Sequence, residues 1–460
     1  MSVRVIVLAA GQGTRMKSSL PKVLHPVAGA PLVNWVVDAV LGASPDEVLV
    51  VIGHGGEDVA SVLPDGVATV VQEEQNGTGH AVLVALEALG DVEGDSVIVV
   101  PGDTPLITSA TLSRLIDAHH AAEPSITLLT THLPDPTGYG RIVRDDAGEV
   151  VGIVEERDAD DEQRRIDEVG VSMYAFAGGE LVRALNQVGT ANDQGEMYLT
   201  DVIGILAGEG APIAAVAAPA PEVSGVNSHD QLAAVGRLLR ARLNERWMRD
   251  GVSMLDPDRV YLDSTVELAA GVVLMPDVHL QGSTSVAAGA QVGPSVFAED
   301  SSIGPGARVW YSVLRGADVG ESAEVGPFAS LRPGTVLGPE TKAGTFVETK
   351  NTTLQRGSKV PHLSYMGDAE IGEDSNIGAG TITCNYDGFE KHRTTIGDRV
   401  RIGSDTMLVA PVEIGDDAWT GAGSTITKDV SPGALGVERS HQQEIPDYAA
   451  RRRAKRRTSE

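Results

Sequence analysis

Three groups of residues in this sequence could do chemistry. The first is LAAGQGTRM, running from Leu8 through Ala9 and Ala10 to Met16. There Gly11 and Gly13 would let the backbone approach an anion closely, and Arg15 offers a fork of donors to phosphate oxygens. The run matches neither G-x-G-x-x-G nor the Walker pattern, and a plain turn accounts for it as well as a nucleotide site does. The second is Asp103 in VPGDTPL, just after the apolar run at 97–100. A carboxylate at a strand tip suits Mg2+, which takes oxygen ligands and bridges to phosphates, although an isolated Gly-Asp is ordinarily a turn. The third is a series of reactive side chains in RPG (332–334), VETKN (347–351), PHLSYMGD (361–368) and CNYDGFEKHRT (384–394).

The first two groups need a scaffold of strands that end where the glycines and Asp103 begin. Apolar runs at 3–8, 48–52 and 97–100 alternate with helix-length stretches at 32–41 and 80–89. Such alternation predicts βαβ units and a Rossmann-like, mostly parallel sheet with ligands at the strand C-terminal ends. QEEQNGTGHA (72–81) reads as a glycine loop leading into a helix. Leu232, Val235, Leu239, Leu243 and Trp247 have helical spacing, with Ser228 and Gln231 as a capping box. This predicts a linker helix over 229–250, where the stripe means packing.

The third group sits in a different pattern. Val319, Val325, Leu331 and Leu337 recur every sixth residue, as do Ile371 and Ile377, and Ile396, Ile402, Leu408 and Ile414. Fainter hexads start at Val286 and Val292, and at Ile303 and Val309. A six-residue period fits neither an amphipathic helix nor a half-buried strand, but suits short strands stacked as a parallel β-helix. The apolar residue would point inward and the small residue after it would permit a tight corner. The reactive segments read as breaks in this ladder, and loops that interrupt repeats commonly carry the site.

Composition narrows the class. A chain of 460 residues calls for at least two domains, and 42% hydrophobic with 22% charged residues is a globular composition. The net charge of −28 argues against a nucleic-acid-coating surface. The one cationic block, RRRAKRR at 451–457, reads as a disordered, solvated end, with an anionic partner as the minor alternative. Cys384, the only cysteine, excludes an internal disulfide or a cysteine zinc site. The N-terminal apolar run is too short to span a bilayer and lacks a cleavage-type sequel, so no membrane association is expected and the protein reads as cytoplasmic.

The continuation of the glycine run, GQGTRMKSSLPKVL, places Lys22 after Pro21 and resembles the opening motif of the sugar-1-phosphate nucleotidyltransferases. GTGHA (77–81), GDTPL (102–106), GYGRIV (138–143), GIVEERDADDEQRRIDEVG (152–170), GEMYLTD (195–201) and GVNS (225–228) resemble, more narrowly, the uridylyltransferase domain of the bifunctional GlmU family. The resemblance implies that Leu8, Ala9, Ala10, Gly11 and Gly13 bind UTP or UDP-N-acetylglucosamine, that Arg15 and Lys22 clamp the phosphates, and that Gln72, Gly77 and Thr78 hold uracil and ribose. Gly140, Glu155, Gly170 and Asn227 would face the sugar, and Asp103 and Asn227 would take Mg2+. At Gly170 the chain departs from the family's pattern, which has Asn in that place, removing two possible hydrogen bonds to the sugar.

The segments in the repeat half resemble the acetyltransferase domain of the same family, which acetylates glucosamine-1-phosphate with acetyl-CoA. His362 matches the general base, a task that suits a near-neutral imidazole. Arg332, Lys350, Tyr365 and Lys391 would bind the sugar phosphate, with Asn376 orienting the sugar. Asn385 and Tyr386 would orient the acetyl thioester, Asn385 also facing the developing oxyanion. Ala379, Ser404, Ala422 and Arg439 would line the acetyl-CoA groove. A left-handed helix with three hexads per coil, and a homotrimer with sites between subunits, are what the family implies.

The resulting expectation is a bifunctional enzyme in two domains: a uridylyltransferase at 1–228 and, after the linker helix, a β-helical acetyltransferase at 251–445. A basic tail at 446–460 follows. Substrates would be UTP, acetyl-CoA and amino-sugar phosphates. One alternative is a single-function sugar nucleotidyltransferase whose β-helix is only structural; another is a non-enzymatic assembly module with a vestigial nucleotide fold.

Overall fold

A computed structural model describes all residues except 1, 12, 54, 55, 155, 157, 158, 191–194 and 458–460, together with the chain but not the side chain of Thr14. It divides into two compact units, Met1–Leu243 and Asn244–Glu460.

The first unit is built on β1 (Val3–Ala9), β2 (Glu47–Gly53), β3 (Ala68–Gln72), β4 (Ser96–Pro101), β5 (Ile126–His132), β6 (Arg141–Arg144), β7 (Val150–Val154), β8 (Glu168–Ala177) and β9 (Ile213–Ala217). They form one sheet in the order β9-β5-β8-β4-β1-β2-β3, with β6 on β8 and β7 on β6. β1 runs parallel to β2 and β4, and β8 is antiparallel to β4 and β5, so the sheet is mixed. Alternate β1 residues serve opposite faces. Val5 and Val7 pack with α1 (Leu32–Gly42), while Ile6 packs with α2 (Thr78–Leu89). Helices on both faces explain why β1 reads as a continuous apolar run.

Chain crossing is what makes the site end. β1, β3 and β4 all finish on the same edge, so the glycine turn after Ala9, Gln72 and Asp103 are delivered together. α3 (Ser109–Ala122) then returns from the Asp103 side, capped by Thr108 Oγ1 accepting from the Thr111 N–H at 3.2 Å.

The second unit is three parallel sheets of eleven, ten and nine short strands, consistent with a left-handed β-helix. Val319 lies in the third sheet, Val325 in the first, Leu331 in the second and Leu337 in the third again. Three hexads therefore make one coil. All the hexad residues named above are at most 3% exposed, and they form one continuous core. A β-carbon on Gly378 or Gly403 would stand 2.5 Å from the main-chain nitrogen of Ser404 or Ala422 one coil on, so glycine here permits the coils to stack.

Two of the four segments read as breaks, 347–351 and 361–368, carry strands in register, since Glu348–Lys350, Lys359–His362 and Tyr365–Gly367 continue the sheets, and RPG is only the corner between Ser330–Leu331 and Thr335–Leu337. The six-residue signal vanishes because the inward places pass to Ala343, Thr349 and Met366, and because steps such as Met366 to Ile371 shorten by a residue. Only 384–394 leaves the ladder, between Ile382–Cys384 and Thr394–Ile396.

The linker helix is α4 (His229–Arg249), and the division between the units falls inside it. Gln231 Oε1 accepts from the N–H of Asn227 at 2.7 Å, one residue earlier than the capping box requires. The tail expected to be disordered instead forms α5 (Tyr448–Arg457), a helix with no buried residue.

Candidate active sites

In the first unit the glycine turn is shaped by the lysine that follows it. Gly13 has a φ of 66°, and a β-carbon there would come within 2.5 Å of Lys22 Cβ. Glycine thus lets the Lys22 stem run beside the turn. The Lys22 ammonium makes a short contact with the Asp103 carboxylate and lies 3.1 Å from Asn227 Oδ1. Arg15 Nη2 donates to that same oxygen at 2.8 Å. Asn227 arrives because the Val226 N–H donates to Asp103 O at 2.9 Å, fastening GVNS to the end of β4. Four residues from three distant segments therefore converge.

They stand at one side of a cavity of 690 Å3 lined also by Leu8, Ala10, Gly11, Gln72, Gly77, Thr78 and Gly170. Ala9 is buried in the core instead, 4% exposed. The loop opposite is held by its own polar groups. Gln72 Nε2 donates to Gly77 O at 3.2 Å, and the Gly79 N–H donates to Met197 O at 2.7 Å, so GEMYLTD backs this loop. Gln75 was not singled out from the sequence, yet its amide donates to Ala10 O at 2.6 Å and ties loop to glycine turn. Of the four neighbouring polar residues in QEEQ, Gln72 is the buried one, and only the fold shows that the exposed Gln75 reaches Ala10.

A metal would meet the Asp103 carboxylate and the Asn227 amide oxygen, both already gathered around the Lys22 ammonium. A β-carbon on Gly225 would stand 3.9 Å from both Asp103 Oδ1 and Asn227 Nδ2, so glycine leaves this corner open. No group of three or more His, Cys, Asp or Glu side chains is placed for a metal among the described residues. Two oxygen donors with open space fit Mg2+, which fills its shell with water and phosphate.

On the sugar side the positions differ. Gly140 is buried, and its carbonyl accepts from the Gly170 N–H at 3.0 Å. Thr137, Gly138 and Tyr139 line the cavity in its place. Glu155 lies outside the described residues. A β-carbon on Gly170 would meet only the terminal methyls of Ile153 at 3.1 Å and Ile142 at 3.6 Å, so the fold does not demand glycine there.

In the second unit His362 ends the strand Lys359–His362, exposed, with its carbonyl accepting from Ser364 Oγ at 2.7 Å and from the Gly380 N–H at 3.4 Å. From there a file of hydrogen bonds descends the coils. The Asp405 N–H donates to Ala379 O at 2.6 Å, the Gly423 N–H to Ser404 O at 2.8 Å, and Arg439 Nη1 to Ala422 O at 2.8 Å. The acetyl-CoA candidates Ala379, Ser404, Ala422 and Arg439 thus form one line leading from His362.

A second group gathers at the end of the second sheet. Lys350 Nζ lies 3.7 Å from Asp368, which accepts from Asn351 at 2.7 Å and from Asn385 at 2.5 Å. Burial works to raise the Asp368 carboxyl, but the two amide donors and the lysines outweigh it and hold the carboxyl below its ordinary value. Lys391 arrives on the loop at 384–394, and the Lys350 ammonium beside it pushes its amine below the ordinary lysine value. Arg332 follows one coil before Lys350 and is paired with Glu348 at 2.9 Å. Gly367 keeps the floor flat, since a β-carbon there would meet Tyr365 Oη and, at 2.8 Å, Asn385 Nδ2. Crowded cations with flanking donors make an anion seat.

Two candidates stand apart. Asn376 is registered against Lys359, on the first sheet, away from the Asp368 group. Tyr386 is 60% exposed on the protruding loop, where its hydroxyl donates to Gly388 O at 2.6 Å. The sequence also hid Gly344, where a β-carbon would stand 2.0 Å from Pro361 O, just before His362.

The model of the MobA-like NTP transferase domain matches residues 5–169, and that of the hexapeptide repeat of succinyl-transferase matches 393–428. "Bifunctional protein GlmU" of Streptomyces avermitilis is 51% identical over 454 residues, covering 98% of this chain and 94% of its own. The chain belongs to the GlmU family. The GlmU proteins of Streptomyces coelicolor and Corynebacterium efficiens are 50% and 48% identical, each over 98% of this chain and 94% of their own. Like them it is a bifunctional enzyme, with a nucleotidyltransferase unit and a hexapeptide-repeat acetyltransferase unit serving UDP-N-acetylglucosamine synthesis. No helix among the described residues is long and apolar enough to cross a membrane.

Proposed function

We propose that the two sites act in sequence, the β-helical unit making N-acetylglucosamine-1-phosphate and the first unit joining it to uridylate from UTP. The observation that carries the reading is the convergence of Lys22, Arg15, Asp103 and Asn227 on one corner of the first cavity. It gathers cations for phosphates beside oxygens for a metal.

In acetyl transfer, the amine of glucosamine-1-phosphate attacks the thioester carbonyl, His362 takes the amine proton, and CoA leaves as the thiolate. Lys350, Lys391 and Arg332 hold the sugar phosphate. Asn385 donates toward the forming oxyanion, and CoA extends along the Ala379–Ser404–Ala422–Arg439 file. In uridylyl transfer a phosphate oxygen of the acetylated sugar attacks the α-phosphorus of UTP and pyrophosphate leaves. Arg15 and Lys22 neutralise the charge on the transferring and leaving groups, and Gln72, Gly77 and Thr78 hold the nucleoside. Mg2+, held by Asp103 and Asn227, would supply further charge neutralisation.

The assembly is a homotrimer in this reading, working in the cytoplasm. Supporting it, Tyr311, Phe328, Phe346 and Leu363 stand 43%, 56%, 57% and 62% exposed on one corner of successive coils, ending beside His362. Phe328 and Phe346 stack with ring centroids 5.4 Å apart. An apolar ridge of this kind calls for a covering surface, and a second copy there would add to the His362 site.

The test supplies glucosamine-1-phosphate, acetyl-CoA, UTP and Mg2+ and follows free CoA and pyrophosphate separately. Both should appear, with pyrophosphate dependent on prior acetylation. CoA without pyrophosphate would leave the acetyltransferase reading standing and point to Gly170 as the cause of a failed or altered first site.

A further inference from the structure

The largest fully buried side chain among the described residues is a cation that belongs to neither phosphate cluster. Arg141, on β6, is 1% exposed. Its fork reaches two partners: one nitrogen makes a short contact with the main-chain carbonyl of Tyr139, and Nη2 donates to Glu156 Oε2 at 2.5 Å. That same carboxylate oxygen accepts from the N–H of Gly138 at 3.3 Å. Arg141, and behind it Gly138, hold the Glu156 carboxyl below its ordinary value. The turn at 137–140 is therefore gripped at two peptide groups, 137–138 and 139–140, and a third bond fixes its end, from the Gly170 N–H to Gly140 O.

Stability alone is a poor account of this arrangement. A buried guanidinium gains little over a well-packed apolar side chain of similar size. Arg141 Nε is also buried with no hydrogen-bond partner in the structure, a further cost. What the pair does supply is geometry, because a rigid fork fixes both the distance and the plane of what it binds. The residues so fixed are Thr137, Gly138 and Tyr139, which line the cavity without belonging to the Lys22–Asp103–Asn227 corner. Gly138 has a φ of 87° and Tyr139 is 38% exposed, so the turn has no core of its own to hold it.

We propose that Arg141 is a positioning residue for uridylyl transfer, holding the 137–140 turn with Glu156 as the wall against which the sugar of the sugar-1-phosphate is seated. The proposal rests on the reading of the first site given above. Lysine at 141 would keep the charge but offers one nitrogen, which cannot grip the Tyr139 carbonyl and Glu156 together in the same planes. Glutamine at 156 would keep an oxygen for Gly138 and Arg141 without the charge. Glu156 is only partly buried, with 32% of its side chain exposed, so its replacement spares the core.

The experiment measures KM for N-acetylglucosamine-1-phosphate, KM for UTP, and kcat in full-length Arg141→Lys and Glu156→Gln. Acetyl transfer by the second unit and thermal unfolding serve as folding controls. Expected is a rise of about tenfold or more in the sugar-phosphate KM of Arg141→Lys, as small misplacements at a reacting centre produce. A smaller rise is expected for Glu156→Gln, with KM for UTP and acetyl transfer unchanged in both. Equal rises in both KM values, or lowered thermal stability with no split between them in Glu156→Gln, would assign Arg141 a merely structural role and overturn the proposal. Wild-type protein that releases no pyrophosphate from UTP and the sugar phosphate would instead overturn the reading of the site, and the proposal with it.

Discussion

The Lys22 ammonium lies 3.1 Å from the amide oxygen of Asn227, a residue 205 positions further along the chain. The same ammonium touches the Asp103 carboxylate, so one lysine occupies both oxygens assigned to the metal. Lysine and metal thus share the same donors, and the arriving triphosphate offers the lysine a new partner. The corner is preorganised for cations before any substrate binds, which limits the reorganisation needed during reaction.

Removing either member of this pair should stop uridylyl transfer and leave acetyl transfer untouched, because the second activity resides in a separate unit. Lys22→Ala and Asp103→Asn should each lower uridylyl kcat by about 10²-fold or more, the usual cost of losing one charge-stabilising group. Pyrophosphate release and CoA release, assayed on the same preparations, separate the two effects. A Lys22→Ala protein that keeps its uridylyl rate would remove the phosphate clamp from the mechanism.

Much of this was legible in the chain itself. Gly11, Arg15, Lys22 and Asp103, which the sequence singles out, line one cavity, and the hexad registers all point inward. What the sequence could not give were partners far apart. Gln75 is one of four polar residues in a row, and only the contact with Ala10 O singles it out. Arg141 reads as one more charged residue beside a glycine turn, and its burial depends on β6 pairing with β8. The β-helix was legible as long as its core was Val, Ile and Leu. It became invisible where Thr349 and Thr383 face inward, since a threonine whose hydroxyl finds a partner across the coil is as buried as an isoleucine.

His362→Ala should lower acetyl transfer by about 10²- to 10⁴-fold, the span expected for loss of a general base. Uridylyl transfer from supplied N-acetylglucosamine-1-phosphate should stay at the wild-type rate. Loss of both activities to the same degree would mean that His362 supports the fold instead of the proton transfer.

The Lys350–Lys391 pair gives a pH dependence with a definite sign. Lys350 pushes the Lys391 amine below its ordinary value, so Lys391 loses its proton at lower pH than a free lysine does. The protonated form favours the phosphate dianion, so affinity is full below the lowered pKa and falls as pH rises through it. KM for glucosamine-1-phosphate, followed from about pH 7 to the ordinary lysine range near pH 10, should therefore rise. In Lys350→Met the lost neighbour lets Lys391 return upward, and the rise should move to higher pH while affinity at neutral pH weakens. Because both proteins see the same titrating substrate, the difference between their profiles isolates the enzyme. Superimposable profiles would show that the two lysines do not sense each other.

Gly344 should prove as necessary to acetyl transfer as the residues that touch substrate. It lies on Lys342–Thr345, the strand registered against Lys359–His362, with Thr345 opposite His362. A β-carbon at 344 would stand 2.0 Å from the Pro361 carbonyl oxygen, a separation no side chain can keep, so alanine must push the two strands apart. The facing strand ends in His362, the proposed general base. Displacing a catalytic group by about 1 Å can cost on the order of 10²-fold in rate. Gly344→Ala should accordingly lose acetyl transfer on that scale, keep uridylyl transfer, and lower the unfolding temperature of the β-helical unit. Wild-type CoA release from this variant would mean that the coil relaxes elsewhere and that the position of His362 does not depend on the close approach at 344.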